Sequence, residues 1–143
     1  MEHLTPLAEG VYALTTRSIT VTVEPEYLDD QSFPEEHRFV WAYHVRIENQ
    51  GTQTVQLKSR YWRITDELGH VHEVSGDGVI GEQPVLGPGE SFEYSSGTPL
   101  GTASGIMQGH YIMETIDADG GERFSATIPV FSLDSPSYGR LVH

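Results

Sequence analysis

Large apolar residues occupy every second position from Phe39 to Ile47, with polar or smaller residues between them. Because successive side chains of a β-strand point to opposite faces, this period of two predicts a long strand with one buried face. The same period recurs at residues 18–24 and 123–130. No long helical pattern is present, so the chain is predicted to be all-β.

Turn-forming residues divide the chain into about seven predicted strands. Besides the three segments above, strands are predicted at 55–65, 71–75, 91–96 and 105–116. The 55–65 segment breaks strict alternation, which indicates a bulge or twist near Tyr61. Short strands separated by Gly, Pro, Asn and Asp are typical of an antiparallel β-sandwich of the immunoglobulin or fibronectin III type. A small barrel is the alternative.

Two aromatic residues favour the sandwich. Trp41 and the Gly109-x-Tyr111 step resemble the core tryptophan and the tyrosine corner of immunoglobulin-like domains, although the chain has no cysteines to form their disulfide. One ordinary hydrophobic core is therefore expected. Residues predicted to face it include Ile19, Val21, Val23, Phe92, Tyr94, Met107, Met113, Phe124, Ala126, Ile128 and Val130.

The length of 143 residues fits a single domain over residues 1–143, with its core at about 17–133. Residues 1–15 and 134–143 show little periodicity and are expected to be loosely held ends. Neither a signal peptide nor an apolar run long enough for a bilayer is visible, so a cytoplasmic protein without membrane insertion is expected. An exposed edge strand would also allow a homodimer.

Twenty-one acidic against eight basic residues give a formal net charge of −13. This charge disfavours nucleic acid and anionic membranes as partners, because neither would gain from counterion release. Acidic residues are densest between Glu24 and Glu36. That stretch is interpreted as a solvated loop, with a docking surface for a basic partner as the alternative.

A Gly-x-Gly-x-x-Gly pattern lies at Gly76, Gly78 and Gly81. In dinucleotide-binding proteins such glycines open a helix whose amides hold a pyrophosphate, but Pro84 follows too closely for a helix to start here. No Lys or Arg lies between Arg63 and Arg123 to offset the nearby carboxylates. The pattern therefore does not predict nucleotide binding.

Two interpretations of this glycine segment stay open. It is either a crossover between sheets that needs positive φ or close packing, or a surface loop that recognises a partner or small ligand. In the second interpretation Glu82 and Gln83 are the polar contacts. The full set of candidate binding residues is Gly76, Asp77, Gly78, Gly81, Glu82, Gln83 and Pro84.

Other residues with chemical potential give weaker signals. His70 and His72 share one face of a predicted strand, but no third ligand is evident, so neither a metal site nor a cofactor is predicted. Arg60 is expected to form an ion pair at the sheet edge, with contact to an anionic ligand as the alternative. Nucleophile-elbow, metalloprotease and Walker motifs are missing, so no catalytic residue is predicted.

Five segments in a specific order and spacing resemble the bacterial ApaG family, also called CorD. They cover about residues 17–133 and include the family's Gly-x-Gly-x-x-Gly motif with the Glu-Gln-Pro that follows it. The segments are FVWAYHVRIENQG (39–51), LKSRYWRITDELG (57–69), EVSGDGVIGEQPVLGPGESFEYSS (73–96), MQGHYIM (107–113) and ERFSATIPVF (122–131).

The resemblance implies a fibronectin III-like sandwich, in agreement with the strand pattern. It also implies a small cytoplasmic protein linked to cobalt resistance and magnesium efflux, with no established enzymatic activity. Related domains of F-box proteins and of a DNA polymerase delta interacting protein look like interaction or ligand-sensing modules. A non-enzymatic regulatory domain with a protein partner is therefore expected. The alternative is a sensor that binds a nucleotide polyphosphate, pyrophosphate or divalent cation through the glycine segment.

Overall fold

The computed structural model describes residues 10–117 and 120–136 in full and the backbone of residues 2–6. These residues form ten strands: β1 (Glu2–Pro6), β2 (Tyr12–Thr16), β3 (Ile19–Tyr27), β4 (Phe39–Asn49), β5 (Val55–Asp66), β6 (Val71–Asp77), β7 (Val85–Leu86), β8 (Ser91–Leu100), β9 (Ser104–Thr115) and β10 (Arg123–Asp134). Short 3-10 turns at Asp29–Gln31 and Pro34–Glu36 precede β4. None of the helical turns in this part of the chain approaches the length and apolarity of a membrane span.

The strands form two antiparallel sheets, which confirms the predicted sandwich. The first sheet has the order β1-β2-β3-β4-β8, and the second has the order β10-β9-β5-β6, with the short β7 paired to β5. Both sheets bury alternate residues in one shared core. In β4, every residue of the predicted apolar face from Phe39 to Ile47 is buried, because the pleat directs these side chains to the same side.

Two strands lie before residue 17, where the sequence analysis placed the start of the core. β2 pairs with β3 and buries Ala13, and β1 pairs with β2. β10 likewise continues to Asp134. The core therefore begins before the predicted boundary of about residue 17, since the polar threonines of β2 mask its strand period, whereas the end of β10 lies one residue from the predicted boundary of about 133. Residues 1, 7–9 and 137–143 of the expected loose ends lie outside the described residues.

Two β-bulges shift the predicted faces. The first lies between Leu57 and Ser59 of β5, a few residues before the irregularity that was predicted near Tyr61. The second lies between Ile128 and Phe131 of β10. Because a bulge inserts an extra residue, it reverses which side chains face inward. Val130, which was predicted to be buried, is 58% exposed, and Phe131 enters the core instead.

A pair of tyrosine hydroxyls lies in the middle of the core. Tyr94 of β8 and Tyr111 of β9 are hydrogen-bonded hydroxyl to hydroxyl at 2.5 Å, which joins the two sheets. In a tyrosine corner the hydroxyl would bond to nearby backbone, so the predicted resemblance at Tyr111 was wrong in its contact. Trp41 is buried as expected, whereas Trp62 is the more enclosed tryptophan and contacts the ring of Phe131.

Candidate binding surface

The glycine segment carries the chain from the second sheet to the first. Gly76 and Asp77 are the last residues of β6, and β8 begins in the other sheet at Ser91. Between these strands, β7 pairs briefly with β5. The segment is therefore a crossover, as the structural interpretation of its glycines expected.

The bulge in β5 anchors this crossover. The ladder between β5 and β9 skips Lys58, so its carbonyl oxygen is free to accept other hydrogen bonds. It accepts one from the amide of Gly78 at 2.9 Å and one from the side-chain nitrogen of Gln83 at 2.8 Å. One residue earlier, the amide of Leu57 donates to the carbonyl of Pro84 at 3.0 Å. Gln83, a candidate polar contact, thus fastens the segment to its own sheet.

Gly78 and Gly81 each meet a backbone requirement that other residues satisfy poorly. Gly78 has a φ of +64°, and a Cβ atom there would lie 2.2 Å from the carbonyl oxygen of Glu82. Val79 and Glu82 bond reciprocally through their backbones at 2.8 and 2.9 Å, which closes a two-residue turn. Its central residues, Ile80 and Gly81, have φ values of 43° and 78°. Positive φ at both positions is the signature of a type I′ turn.

Ile80 is an unusual residue for this position. Type I′ turns favour Asn or Asp followed by Gly, because a β-branched side chain at positive φ is strained. Ile80 nevertheless occupies the first central position, and its side chain is 59% exposed. The turn therefore presents a large apolar side chain to solvent, whereas its neighbour Val79 is fully buried.

Gly76 makes room for Arg60. The Arg60 guanidinium nitrogen Nη1 lies 3.1 Å from where a Cβ atom of residue 76 would stand. It donates to the carbonyl oxygens of Asp77 at 3.2 Å and Gly78 at 3.0 Å. The expected ion pair is not among the Arg60 contacts within the described residues. Arg60 instead donates to main-chain carbonyl oxygens of the crossover, so the expectation of an ion pair was wrong.

These contacts also determine how the segment could meet an anion. Phosphate sites in glycine loops depend on backbone amides that point away from the protein. The amides of Gly78, Val79 and Glu82 all donate to carbonyl oxygens of the chain itself. An anion at this turn would have to displace those bonds, so the geometry of these three amides does not form an anion-binding nest.

Comparison with known proteins places this geometry in a family. Residues 29–115 match the model of the ApaG domain. A relative named Protein ApaG from Parvibaculum lavamentivorans is 61% identical over 133 residues, which cover 93% of this chain and 100% of the relative. The chain belongs to the ApaG family. Protein ApaG from Rhodospirillum centenum is 64% identical over 130 residues, or 91% of this chain and 97% of the relative.

A solved structure agrees with the ApaG assignment and with the fold. The crystal structure of a Bordetella pertussis protein designated ApaA superposes with a TM-score of 0.78 at 46% sequence identity. The match covers 82% of this chain and 94% of that chain. In this ApaG domain each of the three motif glycines is needed for a different reason. Gly76 leaves room for the Arg60 guanidinium, Gly78 allows the close approach of the Glu82 carbonyl, and Gly81 adopts the positive φ of the turn.

The His70–His72 pair of this ApaG domain does not converge with a third ligand. His70 Nδ1 lies 3.2 Å from Asp66 Oδ2 and both histidines are exposed. Burial opposes ionisation of Asp66, but hydrogen bonds from the His70 and Leu68 amides and from the His70 ring outweigh it and lower the pKa of that carboxyl. Within the described residues no three His, Cys, Asp or Glu side chains are grouped for a metal ion.

A polar network of Ser95, His44 and Glu26 was not predicted from the sequence. On the outer face of the first sheet, Ser95 Oγ lies 2.6 Å from His44 Nδ1, and His44 Nε2 lies 2.9 Å from Glu26 Oε1. The order serine, histidine, carboxylate is that of a hydrolytic triad. Here, however, Ser95 lies within the regular β8–β4 ladder, where a strand directs its amides along the sheet and away from the side-chain face. We interpret the network as cross-strand pairing between exposed polar side chains.

The acidic stretch from Glu24 to Glu36 is divided between the end of β3 and the two 3-10 turns. Asp29, Asp30, Glu35 and Glu36 are all exposed. Their exposure agrees with the solvated-loop interpretation and leaves the docking alternative open. The Lys58 bulge and the inward turn of Arg60 could not be predicted from the sequence, because both depend on pairing between distant strands.

Proposed function

We propose that this ApaG-family chain is a non-enzymatic binding and regulatory module that acts through a protein partner. The turn at Ile80 supports this proposal most directly, because an apolar side chain projects into solvent there while the amides of Gly78, Val79 and Glu82 donate to the chain's own carbonyl oxygens. In this proposal the candidate segment from Gly76 to Pro84 contributes the turn as a rigid contact. Its hydrogen-bonding groups hold its shape and do not receive the ligand.

The chemistry of the turn favours a protein over a small anion. A fixed apolar side chain gains free energy when it enters a pocket on another protein, at little cost in conformational entropy. Backbone strain of the kind at Ile80 is retained where a structure gains something from it. The nearby carboxylates of Asp77 and Glu82 would in addition repel a phosphate.

The link to cobalt resistance and magnesium efflux that the family resemblance implies would then be exercised through the partner. The module would change the partner's activity or assembly and would not itself carry the cation. The alternative, a sensor for a nucleotide polyphosphate, pyrophosphate or divalent cation, requires a direct response of the free chain to one of these ligands.

Two measurements test the proposal. The first is an amide NMR titration of the chain with magnesium, cobalt, pyrophosphate, ATP and diadenosine tetraphosphate, each added separately. We expect no saturable shift at residues 76–84. A saturable shift confined to these residues would replace the proposal by the ligand-sensor alternative.

The second measurement compares proteins retained from a lysate of the native host by the natural chain and by two variants. Ile80→Asn removes the exposed apolar side chain but keeps a residue that tolerates positive φ. Ile116→Asn is the matched control, because Ile116 is 45% exposed on a different loop. We expect at least one protein to be retained by the natural chain and by the control but lost with Ile80→Asn. Identical sets of retained proteins for all three chains would contradict the proposal.

A further inference from the structure

The four edge strands of the two sheets differ in how they are protected. β1 and β8 are the edges of the first sheet, and β10 and β6 are the edges of the second. Proline, which lacks an amide and blocks the addition of a further strand, occurs in three of them, at Pro6, Pro99 and Pro129. β6 contains neither proline nor lysine. In the described part of the chain, no strand pairs with its far side.

β6 is also open to solvent on both faces. Five of its seven residues are exposed, and only Val74 and Gly76 are half-buried. Alternate backbone groups of an edge strand point away from the sheet, where they are available to a new strand. β6 therefore offers backbone donors and acceptors to a new strand along residues 71–76, whereas the carbonyl of Asp77 already accepts a hydrogen bond from Arg60.

An apolar cavity lies beside this edge. It has a volume of about 250 Å³ and lies between β6 and the end of β8. Its apolar lining residues are Ile64, Val71, Pro99 and Leu100, and His72 of β6 also lines it. A strand added to β6 would direct alternate side chains toward this cavity and the others toward the outer face of the sheet.

The outer face beside β6 is acidic. Glu73 and Asp77 share this face through their register with Arg63 and Ser59, and Glu67 and Glu82 are exposed at the two ends of the strand. Three cations lie on the neighbouring β5, namely Lys58, Arg60 and Arg63. Arg60 is occupied by backbone carbonyls, and Arg63 lies opposite Glu73. The charge on this face complements basic side chains.

We propose that β6 accepts an extended segment of a partner protein as an additional strand, and that this segment alternates basic and apolar side chains. The basic side chains meet Asp77 and Glu73, and the apolar ones enter the cavity lined by Ile64 and Leu100. Main-chain hydrogen bonds supply affinity in this mode, and side-chain pockets supply specificity. The inference rests on the proposed function and names the chemistry of its partner.

A peptide titration tests the inference directly. The probe is acetyl-Lys-Val-Lys-Val-Lys-Val-Lys-amide, added to the full chain and followed by amide NMR. Two control peptides replace every lysine by glutamate, or replace the central valine by proline at unchanged charge. We expect saturable shifts and slowed solvent exchange at residues 71–77 with the probe alone. The proline control separates strand addition from attraction between a cationic peptide and an acidic protein.

Three variants locate the contact. Gly101→Phe covers the cavity, since a Cβ atom at Gly101 has no neighbour within 4 Å and the backbone there does not need glycine. Asp77→Lys reverses one charge beside β6, and Glu24→Lys makes the same change on the exposed face of β3 in the other sheet. We expect Gly101→Phe and Asp77→Lys each to weaken binding of the probe peptide about tenfold. The control, Glu24→Lys, should change it by less than about twofold.

The outcomes separate this inference from the function on which it rests. Equal binding of the proline peptide, or shifts outside β6, overturns strand addition. Protection of β6 without peptide, together with a mass of twice the chain, assigns the edge to a second copy and overturns the basic-segment assignment. If a partner is retained through Ile80 while the peptides do not bind, the inference fails and the proposed function stands. A shift of residues 76–84 by pyrophosphate or ATP instead contradicts the proposed function.

Discussion

The guanidinium of Arg60 donates a 3.0 Å hydrogen bond to the carbonyl oxygen of Gly78 across the space between β5 and the crossover. A positive side chain thus satisfies a backbone acceptor at the point where the chain leaves the second sheet. Hydrogen bonds from a charged donor are stronger than those between neutral groups. We therefore regard this contact as the main side-chain link that orients the glycine segment on its sheet.

Arg60→Ala should lower the free energy of unfolding by about 2 kcal/mol, because it removes charged hydrogen bonds to two carbonyl oxygens. Urea unfolding at neutral pH measures this change. Arg63→Ala is the matched control, since Arg63 is exposed on the same strand, and its effect should stay within about 0.5 kcal/mol. Equal effects of the two substitutions would show that Arg60 acts only as a surface charge.

Two glycines of the motif should differ sharply when they are replaced by alanine. Gly78→Ala brings a methyl group against the Glu82 carbonyl and also strains φ, so a loss of about 3 kcal/mol or more is expected. Gly81→Ala meets no atom within 4 Å and should cost about 1 kcal/mol, from the positive φ alone. Thermal unfolding of the two variants orders them, and a larger loss for Gly81→Ala would contradict the turn geometry.

Ile80→Asn should stabilise the free protein. It relieves the strain of a β-branched residue at positive φ and creates the Asn-Gly pair that type I′ turns prefer, which is worth about 1 kcal/mol. Chemical denaturation provides the measurement. Combined with a loss of partner binding, a gain in stability would indicate that Ile80 serves recognition at the expense of stability. A loss of stability would mean that Ile80 contributes packing to the turn.

The regular strands of this fold could be predicted from the sequence because their contacts follow the local period. The inward residues of β3 and β4 show this, since each strand alternates without interruption. β2 was not predicted, because its threonines interrupt the alternation of polar and apolar residues that marks a half-buried strand. The chain position of the crossover was predictable from its glycines. The partner of Arg60 was not, because it depends on the β5 bulge and on a segment 17 to 18 residues away.

The bulge in β10 shows the limit of periodicity most directly. The residues predicted to face the core are correct up to Ile128. Beyond it the register shift exposes Val130, which was predicted to be buried, and buries Phe131 in its place. Phe131→Ala should therefore cost about 3 to 5 kcal/mol, because it empties a buried position that contacts Trp62. Val130→Ala should change stability by less than about 0.5 kcal/mol, since its side chain is largely in solvent. Urea unfolding of both variants tests the register of β10.

The Tyr94–Tyr111 pair should make the fold sensitive to alkali. Burial raises the pKa of Tyr94 and of Tyr111 above the ordinary value of 10.0, and the Tyr94 hydroxyl further raises the pKa of Tyr111. Above pH 10 the unfolded chain releases both protons while the folded chain retains them. The free energy of unfolding should therefore fall as pH rises, by up to about 1.4 kcal/mol per pH unit for each of these tyrosines.

The double variant Tyr94→Phe/Tyr111→Phe tests this dependence of stability on pH. It removes both hydroxyls together, so neither is left buried without its hydrogen-bond partner. Chemical denaturation of the natural chain and of the variant is followed from pH 8 to pH 11. The variant should lose less stability over the alkaline part of this range, since two of the proton releases on unfolding are gone. Parallel curves would show that neither hydroxyl stays protonated in the folded state. At neutral pH, each single substitution should lower the free energy of unfolding by more than half of the loss in the double variant. The reason is that a single substitution leaves the other hydroxyl buried without this hydrogen bond.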